Sequence, residues 1–322
     1  MSTSEKFVQM VLAIVLFYSV MAIILLLTQR LRSRAGERVQ AAAFLGPSLL
    51  LIGIGLLYPA IVTAWQSLHG AALFDPPFVG LDNYKTLFTN PQEITVLRNT
   101  LLWVVLTPLF STGIGLGYAV IIDRARFEKF AKALIFMPIA ISMVGASIIW
   151  KFVYDYKAGG SEQIGLLNQI LVWLHLDTYN FLLTDPWNTL FLIVILIWIQ
   201  AGFAMTILSA SIKAIPDDIV EAARLDGVGG WKMFRYITVP SIRPSLIVVL
   251  TTITIATLKV FDIVQTATGG NFNTSVLAYE FYRQNFVAGD QGLATAIAVV
   301  IFILVTPVVI YNIRQMRKLE GR

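Results

Sequence analysis

The 322-residue chain has no cysteine and only two histidines, His69 and His175. The first absence excludes disulfides and thiolate chemistry. The second leaves no ligand spacing for a histidine-based metal site. Charge is scarce too: Asp, Glu, Lys and Arg make up 13% of the residues, against about a quarter in an average soluble domain. The phosphate-cradling pattern G-x-x-x-x-G-K-[ST] does not occur, so the sequence carries no nucleotide site of that kind. What the chain has instead is apolar length: hydrophobic residues reach 57% and the mean hydropathy is +0.75.

The apolar residues fall into seven runs, at 7–27, 41–64, 97–122, 131–153, 187–212, 241–264 and 293–313. Each approaches the roughly 20 residues that a helix needs to cross a bilayer. In lipid, backbone groups must bond within their own segment, so the pattern predicts an all-α polytopic membrane protein of about seven helices. A transmembrane barrel needs strands of about ten residues with alternating polarity, and these runs do not alternate. The first run is longer than a signal-peptide core of roughly 7–15 residues. It lacks a small-x-small cleavage site, and its basic cluster (Arg30, Arg32, Arg34, Arg38) follows it. It reads as a retained helix with its N-terminus outside.

Basic residues favour cytoplasmic loops, and here they alternate. Arg30 to Arg38 form one cluster, and Arg124, Arg126, Lys129 and Lys132 the next. Lys213, Arg224, Lys232, Arg235 and Arg243 make a third, and Arg314, Arg317, Lys318 and Arg322 the last. Most of the 24 Lys and Arg residues thus lie on one side, predicting an outside N-terminus and a cytoplasmic C-terminus. The net charge of +5 follows from that bias and does not imply nucleic acid.

Three connections on the other side carry patterned residues: Gly80-Leu-Asp-Asn-Tyr84 with Leu87 and Phe88; Gly165-Leu-Leu-Asn168 with Trp173; and Thr268-Gly-Gly-Asn-Phe-Asn-Thr274 leading to Tyr279, Phe281 and Tyr282. Aromatic residues there serve as headgroup-level anchors, or these loops cap a path or dock an external protein. The longest basic loop, residues 213–240, has its own pattern: Glu221-Ala-Ala-Arg-Leu-Asp-Gly227, then Trp231, Phe234 and Pro240. Pro216 suits the first turn of a helix, Asp217 and Asp218 suit the positive end of its dipole, and Gly227 is a C-terminal stop. A helix over 216–226 is expected, followed by a second over 230–237 that Pro240 ends. Paired alanines leave a shallow face for close approach, and Glu221 can pair with Arg224 or with a partner. The residues alone leave open a helix lying on the membrane surface or one docked on a cytoplasmic protein.

The loop resembles the EAA coupling motif of ABC-importer permeases of the binding-protein-dependent type. Glu221, Ala222, Ala223, Asp226 and Gly227 match it, as do Phe234, Pro240 and the upstream Ile215-Pro216; Val228 replaces an Ala. The likeness covers about residues 44–313. Gly80–Tyr84, Arg98-Asn-Thr100, Gly165–Asn168 and Thr268-Gly-Gly270 resemble the carbohydrate-uptake branch, and within it permeases for α-glucosides, maltose or trehalose. Asn271 stands where many relatives have Pro, which loosens the turn expected there. The resemblance implies a six-span core with one extra N-terminal helix. Residues 1–40 then hold the extra helix and a basic linker, and 41–96 a second helix and external loop. Residues 97–313 form the permease core with its coupling loop, and 314–322 a cytoplasmic tail. It implies a transport subunit of the bacterial inner membrane with no ATPase motif and no cofactor of its own. ATP and Mg would be bound by two cytoplasmic ATPase subunits, alongside a second homologous permease and an extracytoplasmic sugar-binding protein.

Polar residues deep in apolar runs mark candidate paths. Gln200 beside Trp198 offers an amide for hydroxyls and an indole for a sugar face, or else an interhelical hydrogen bond. Lys259 and Asp262, three residues apart and so able to share a helix face, are candidates with Thr257, Phe261 and Gln265; a purely structural pair is the alternative. Trp150 and Tyr154 read as headgroup-belt residues. A secondary transporter would need coupled intramembrane charges, and only Lys259 and Asp262 qualify; a channel would need a filter, and none is visible. A phosphate substrate should require several Arg or Lys in the path and a polyamine several acids. Their scarcity favours a neutral, hydroxyl-rich solute.

Overall fold

The computed structural model describes residues 3–28, 34–71, 75–123, 126–158 and 161–320. Arg30, Arg32, Arg124 and Arg322 of the basic clusters lie outside the described residues. Among the described residues there are helices and no strand, with one isolated bridge between His69 and Phe78. The chain divides into two compact units at Trp65 and Gln66.

The first unit holds α1 (Thr3–Thr28) and α2 (Arg34–Ile52), which passes through a π-helical turn at Gly53–Leu57 into α3 (Tyr58–Gln66). No residue of the span Phe44–Gln66 is buried within the protein. Leu12, Leu16 and Tyr18 of α1 and Leu49, Leu56 and Ile61 further on are all exposed. An all-round apolar helix with no protein cover is suited to lipid.

The second unit begins with α4 (Asp82–Thr89) and α5 (Pro91–Ile122). The Asn90 side chain caps α5 by accepting from Gln92 N at 2.9 Å, and Pro91 sits in its first turn, where a missing N–H costs nothing. Next come α6 (Glu128–Phe136) with a 3₁₀ turn Met137–Ala140, α7 (Met143–Val153), α8 (Leu166–Trp173) and α9 (Asn188–Lys213). The α9 helix leads into α10 (Asp217–Leu225), α11 (Gly230–Met233), a π-helical Phe234–Thr238 and α12 (Val239–Ser241). The rest is α13 (Arg243–Leu258), α14 (Asp262–Ala267), α15 (Leu277–Tyr282) with a π-helical Arg283–Ala288, and α16 (Gln291–Glu320).

The centre of this unit is α5 against α9. A Cβ on Gly115 of α5 would sit 2.5 Å from Ala204 Cβ and 2.7 Å from Met205 N; one on Gly202 of α9 would sit 2.3 Å from Ile135 O of α6. Small residues let backbones close up where packing, not water, drives helix association. Around this seam Trp103, Leu192, Ile195, Leu196 and Ile199 pack with Val260, Ile263 and Val264 of the α14 region. Ala119, Met205 and Leu208 pack with Ile242, Val249 and Ile253 of the α13 region.

Among the described residues, four helices are long and apolar enough to cross alone, at Phe44–Gln66, Pro91–Ile122, Asn188–Lys213 and Gln291–Gln315; two bent pairs bring the total to six, and α1 adds a shorter apolar stretch at Phe7–Val20. Two of the expected spans are not straight. The run at 131–153 bends by 105° between Glu128–Ala140 and Met143–Val153. Pro138 tightens the end of the first helix, Ile141 is extended, and the Ser142 hydroxyl caps the next helix through Gly145 N at 3.1 Å. The run at 241–264 is broken twice. Gly230–Ser241 meets Arg243–Leu258 at 68°, and α13 then stops at Leu258, with α14 starting afresh at Asp262.

Candidate functional site

One end of α9 enters the basic loop. Pro216 is extended (φ −56°, ψ 135°) and stands just before α10 rather than in its first turn; Asp217 and Asp218 open the helix. The end is a Schellman-type stop: Gly227 N bonds Arg224 O at 3.0 Å, Val228 N bonds Ala223 O at 3.0 Å, and Gly227 has φ +74°. Of the α10 residues Ala223 alone is buried, while Ile219, Glu221 and Ala222 are exposed and Leu225 is 89% exposed. The side chain of Glu221 forms no ion pair with Arg224 among the described residues. An amphipathic helix so lightly covered presents its apolar face outward. The following segment differs from expectation. Helix α11 is one turn, Phe234 opens the π-helical stretch, and Pro240 lies inside α12 rather than ending a helix; the chain turns at Ile242. Trp231 and Phe234 pair with ring centroids 5.5 Å apart. Both line a cavity of about 480 Å³ against Val120 and Ile121 of α5 and Ile212 of α9.

The other end of α9, about 39 Å away at 1.5 Å per residue over its 26 residues, holds the Thr268–Thr274 loop. Asn188 Nδ2 donates to Phe272 O at 2.7 Å. From α5, Asn99 Nδ2 donates to Asn273 O at 2.6 Å and Ser275 O at 3.0 Å, and the Thr100 hydroxyl accepts from Leu277 N at 2.9 Å. Gly269, Gly270, Phe272 and Asn273 all have φ between +55° and +68°, and a Cβ on Gly270 would strike the Tyr279 ring at 2.1 Å. Asn271 does not loosen this turn: its Nδ2 donates to Thr268 O at 2.9 Å and its carbonyl accepts from the Thr274 hydroxyl at 2.7 Å. The other two motifs are staples as well. Asn83 Nδ2 bridges Ser67 O and His69 O, each at 2.8 Å. Asn168 exchanges bonds with Tyr179 and donates to Asp155 O at 2.7 Å.

Sequence reasoning passed over a polar cluster beside this loop. Glu280 is 2% exposed and accepts from Arg283, from Gln284 Nε2 at 2.7 Å and from Ser275 Oγ at 3.0 Å. Its carboxylate pushes the Arg283 guanidinium further up, and burial pushes the Tyr279 hydroxyl up. Glu93 is buried nearby with one carboxyl oxygen lacking a hydrogen-bond partner. The only sequence signal was three polar residues within five positions of an aromatic run, Glu280, Arg283 and Gln284.

The proposed path residues separate. Trp198 packs edge-on against Trp150, centroids 5.8 Å apart, in an apolar groove with Tyr118 and Ile135. Gln200 is half-buried on the opposite side of α9, on a stripe with Phe203, Ile207 and Ala210; two residues along a helix turn the side chain by about 200°. Lys259 and Asp262 do not share a helix face, because Lys259 ends α13 and Phe261 (φ −130°, ψ −54°) precedes the new helix. Lys259 and Gln265 are exposed, Phe261 and Asp262 half-buried, and the buried Thr257 hydroxyl is committed to Ile253 O at 2.7 Å.

The site thus sits on broken membrane helices around a close-packed pair, with a short helix held off one end. The fold overlays a crystal structure of a bacterial ABC transporter involved in the import of the acidic polysaccharide alginate. The TM-score is 0.73 at 25% identity, covering 89% of this chain and 99% of that one. Residues 111–317 match the model of the binding-protein-dependent transport system inner membrane component, and the chain belongs to that family. It is 47% identical over 289 residues to the alpha-glucoside transport system permease protein AglF of Rhizobium meliloti, spanning 89% of this chain and 85% of the relative. It is 44% identical over 277 residues to the osmoprotective compounds uptake permease protein GgtC of Synechocystis, spanning 86% and 99%. The chain is thus an inner-membrane transport component.

Proposed function

We propose that this chain is the membrane-spanning permease subunit of an ATP-driven sugar importer, with an α-glucoside or similar di- or oligosaccharide as its solute. The observation that carries the reading is α10: an outward-facing amphipathic helix, stopped by left-handed Gly227, joined through three residues to the end of α9. Such a helix seats in the cleft of a separate ATPase subunit, and its displacement moves the bundle between outward- and inward-open states. Glu221, Ala222, Ala223, Asp226, Gly227, Phe234 and Pro240 form that contact and its support. The ATP and Mg belong to two ATPase partners, and the chain itself hydrolyses nothing. A second permease completes the path, a binding protein delivers the sugar, the N-terminus is outside and the C-terminus cytoplasmic.

The sugar assignment is supported by what AglF's name says of its solute and by the path chemistry. At the break between α13 and α14, Lys259, Phe261, Asp262 and Gln265 offer one cation, one anion, one amide and one ring within seven residues, suited to hydroxyls rather than to a phosphate. Gln200 belongs to the same reading as a single amide on a separate stripe. GgtC's name favours a second solute class, a small osmoprotectant; glycerol phosphate is the alternative within the family. The deciding experiment is gentle-detergent isolation of the chain from its native membrane, with mass spectrometry of what accompanies it. A co-purified ATPase, second permease and binding protein support the reading, and the binding protein can then be screened with glucosides, osmoprotectants and glycerol phosphate. A chain that emerges alone, under conditions that preserve other complexes, sinks it. For the path, normal uptake in both Gln200→Ala and Asp262→Ala removes the assignment.

A further inference from the structure

Four charges close into a ring where α9 gives way to the coupling loop. Lys213, the last residue of α9, pairs with Glu128, the first residue of α6. The same Glu128 oxygen accepts from Lys132 at 2.9 Å. Lys132 also pairs with Asp123, the residue that caps the end of α5. Ser209 of α9 completes the ring by donating to Asp123 Oδ1 at 2.6 Å. Two acids and two bases balance, and every contact joins different helices except the one within α6.

The ring is not placed where it stabilises much. Lys213 is half-exposed and Glu128 partly so, and ion pairs in contact with water contribute little to folding. Directional charged contacts do fix geometry, since each donor must meet one acceptor at one position. Three helix ends are therefore held in register four residues before α10 begins. Asp123 also lines the apolar cavity under Trp231 and Phe234, and its other oxygen, Oδ2, is buried there without a hydrogen-bond partner. A displacement of α10 thus reaches α5 and α6 through Lys213 along the chain, and the cavity that Asp123 shares with Trp231 and Phe234 leaves room for that movement beside the ring.

We propose that Asp123, Glu128, Lys132 and Lys213 are positioning residues that convert movement of the coupling helix into movement of α5 and α6, and so set how much ATP is consumed per solute carried. The inference rests on the coupling-helix reading of α10. Its test uses the assembled transporter in liposomes with its binding protein, measuring uptake and ATP hydrolysis together. Lys213→Met and Glu128→Gln are each expected to lower uptake about tenfold while hydrolysis stays near its original rate, and the double variant to be no worse than either single change. Lys132→Arg, which keeps the charge, is expected to retain uptake. Uptake and hydrolysis that fall together in proportion to the amount of assembled complex overturn the inference, because the ring is then only structural. An unchanged ratio of ATP to solute in all variants overturns it as well. Gly227→Pro separates the two readings. Normal uptake in that variant removes the coupling helix itself, whereas blocked uptake there with unchanged ratios in the ring variants removes only the ring's role.

Discussion

Gly227 and Asn99 show how much rests on single residues at the two ends of α9. Gly227 occupies the left-handed region with open space around it, so its requirement is conformational and not steric. Alanine there costs about 1–2 kcal/mol of local strain. Proline, fixed near φ −65°, cannot make the exit from α10 at all. Gly227→Pro is expected to abolish uptake while the chain still inserts, as read by membrane fractionation and transport in one strain. Asn99 is needed for its donors. Asn99→Ala removes its bonds to the carbonyls of the exposed Asn273 and the half-buried Ser275, each contributing about 0.5–1.5 kcal/mol. Faster proteolysis of the Thr268–Thr274 loop in that variant, with helix content unchanged, is the expected result; equal cleavage rates would show that the loop's other bonds hold it without Asn99.

Elements behave less like the sequence than residues do. Helix α10 was legible because its signals are local: acids at the start, glycine at the stop, alanines between. The apolar runs were legible as membrane helices because composition alone decides burial in lipid. The breaks were not, since hydropathy is blind to backbone direction. Pro138 and Ser142 were there to be read as a stop and a cap, but they sit inside an unbroken apolar run. Lys259 and Asp262 misled for the same reason, because spacing predicts a shared face only if the helix continues between them. Asn99 and Asn168 stood out within short motifs and Asn188 not at all, but their role was hidden: each bonds main-chain atoms, some of them far along the chain, a partnership no periodicity encodes. The close contacts of α9 are a prediction at this scale. Gly202→Val forces side-chain atoms onto Ile135 O, an overpacking cost of about 1–3 kcal/mol or more. Its expected reading is a lower melting temperature of the detergent-solubilised protein, while Gly117→Ala, on the open side of α5, should leave it unchanged.

For the molecule as a whole, the second unit combines one tight pair of spans with segments that bend. Two of its crossing units are interrupted at Ser142 and Ile242, and a third interruption falls at Lys259–Phe261. The contact of α5 and α9 through Gly115 has no slack, so those two helices form a spar from which the bent elements hang. That spar is a built-in ruler. Since the chain has no cysteine of its own, paired spin labels can be placed wherever they are wanted. Labels at Leu109 of α5 and Val194 of α9, both exposed, should report one constant distance with and without ATP. Labels on α7 and α13 should report two. Every other displacement in the transport cycle can then be measured from a reference the protein itself supplies.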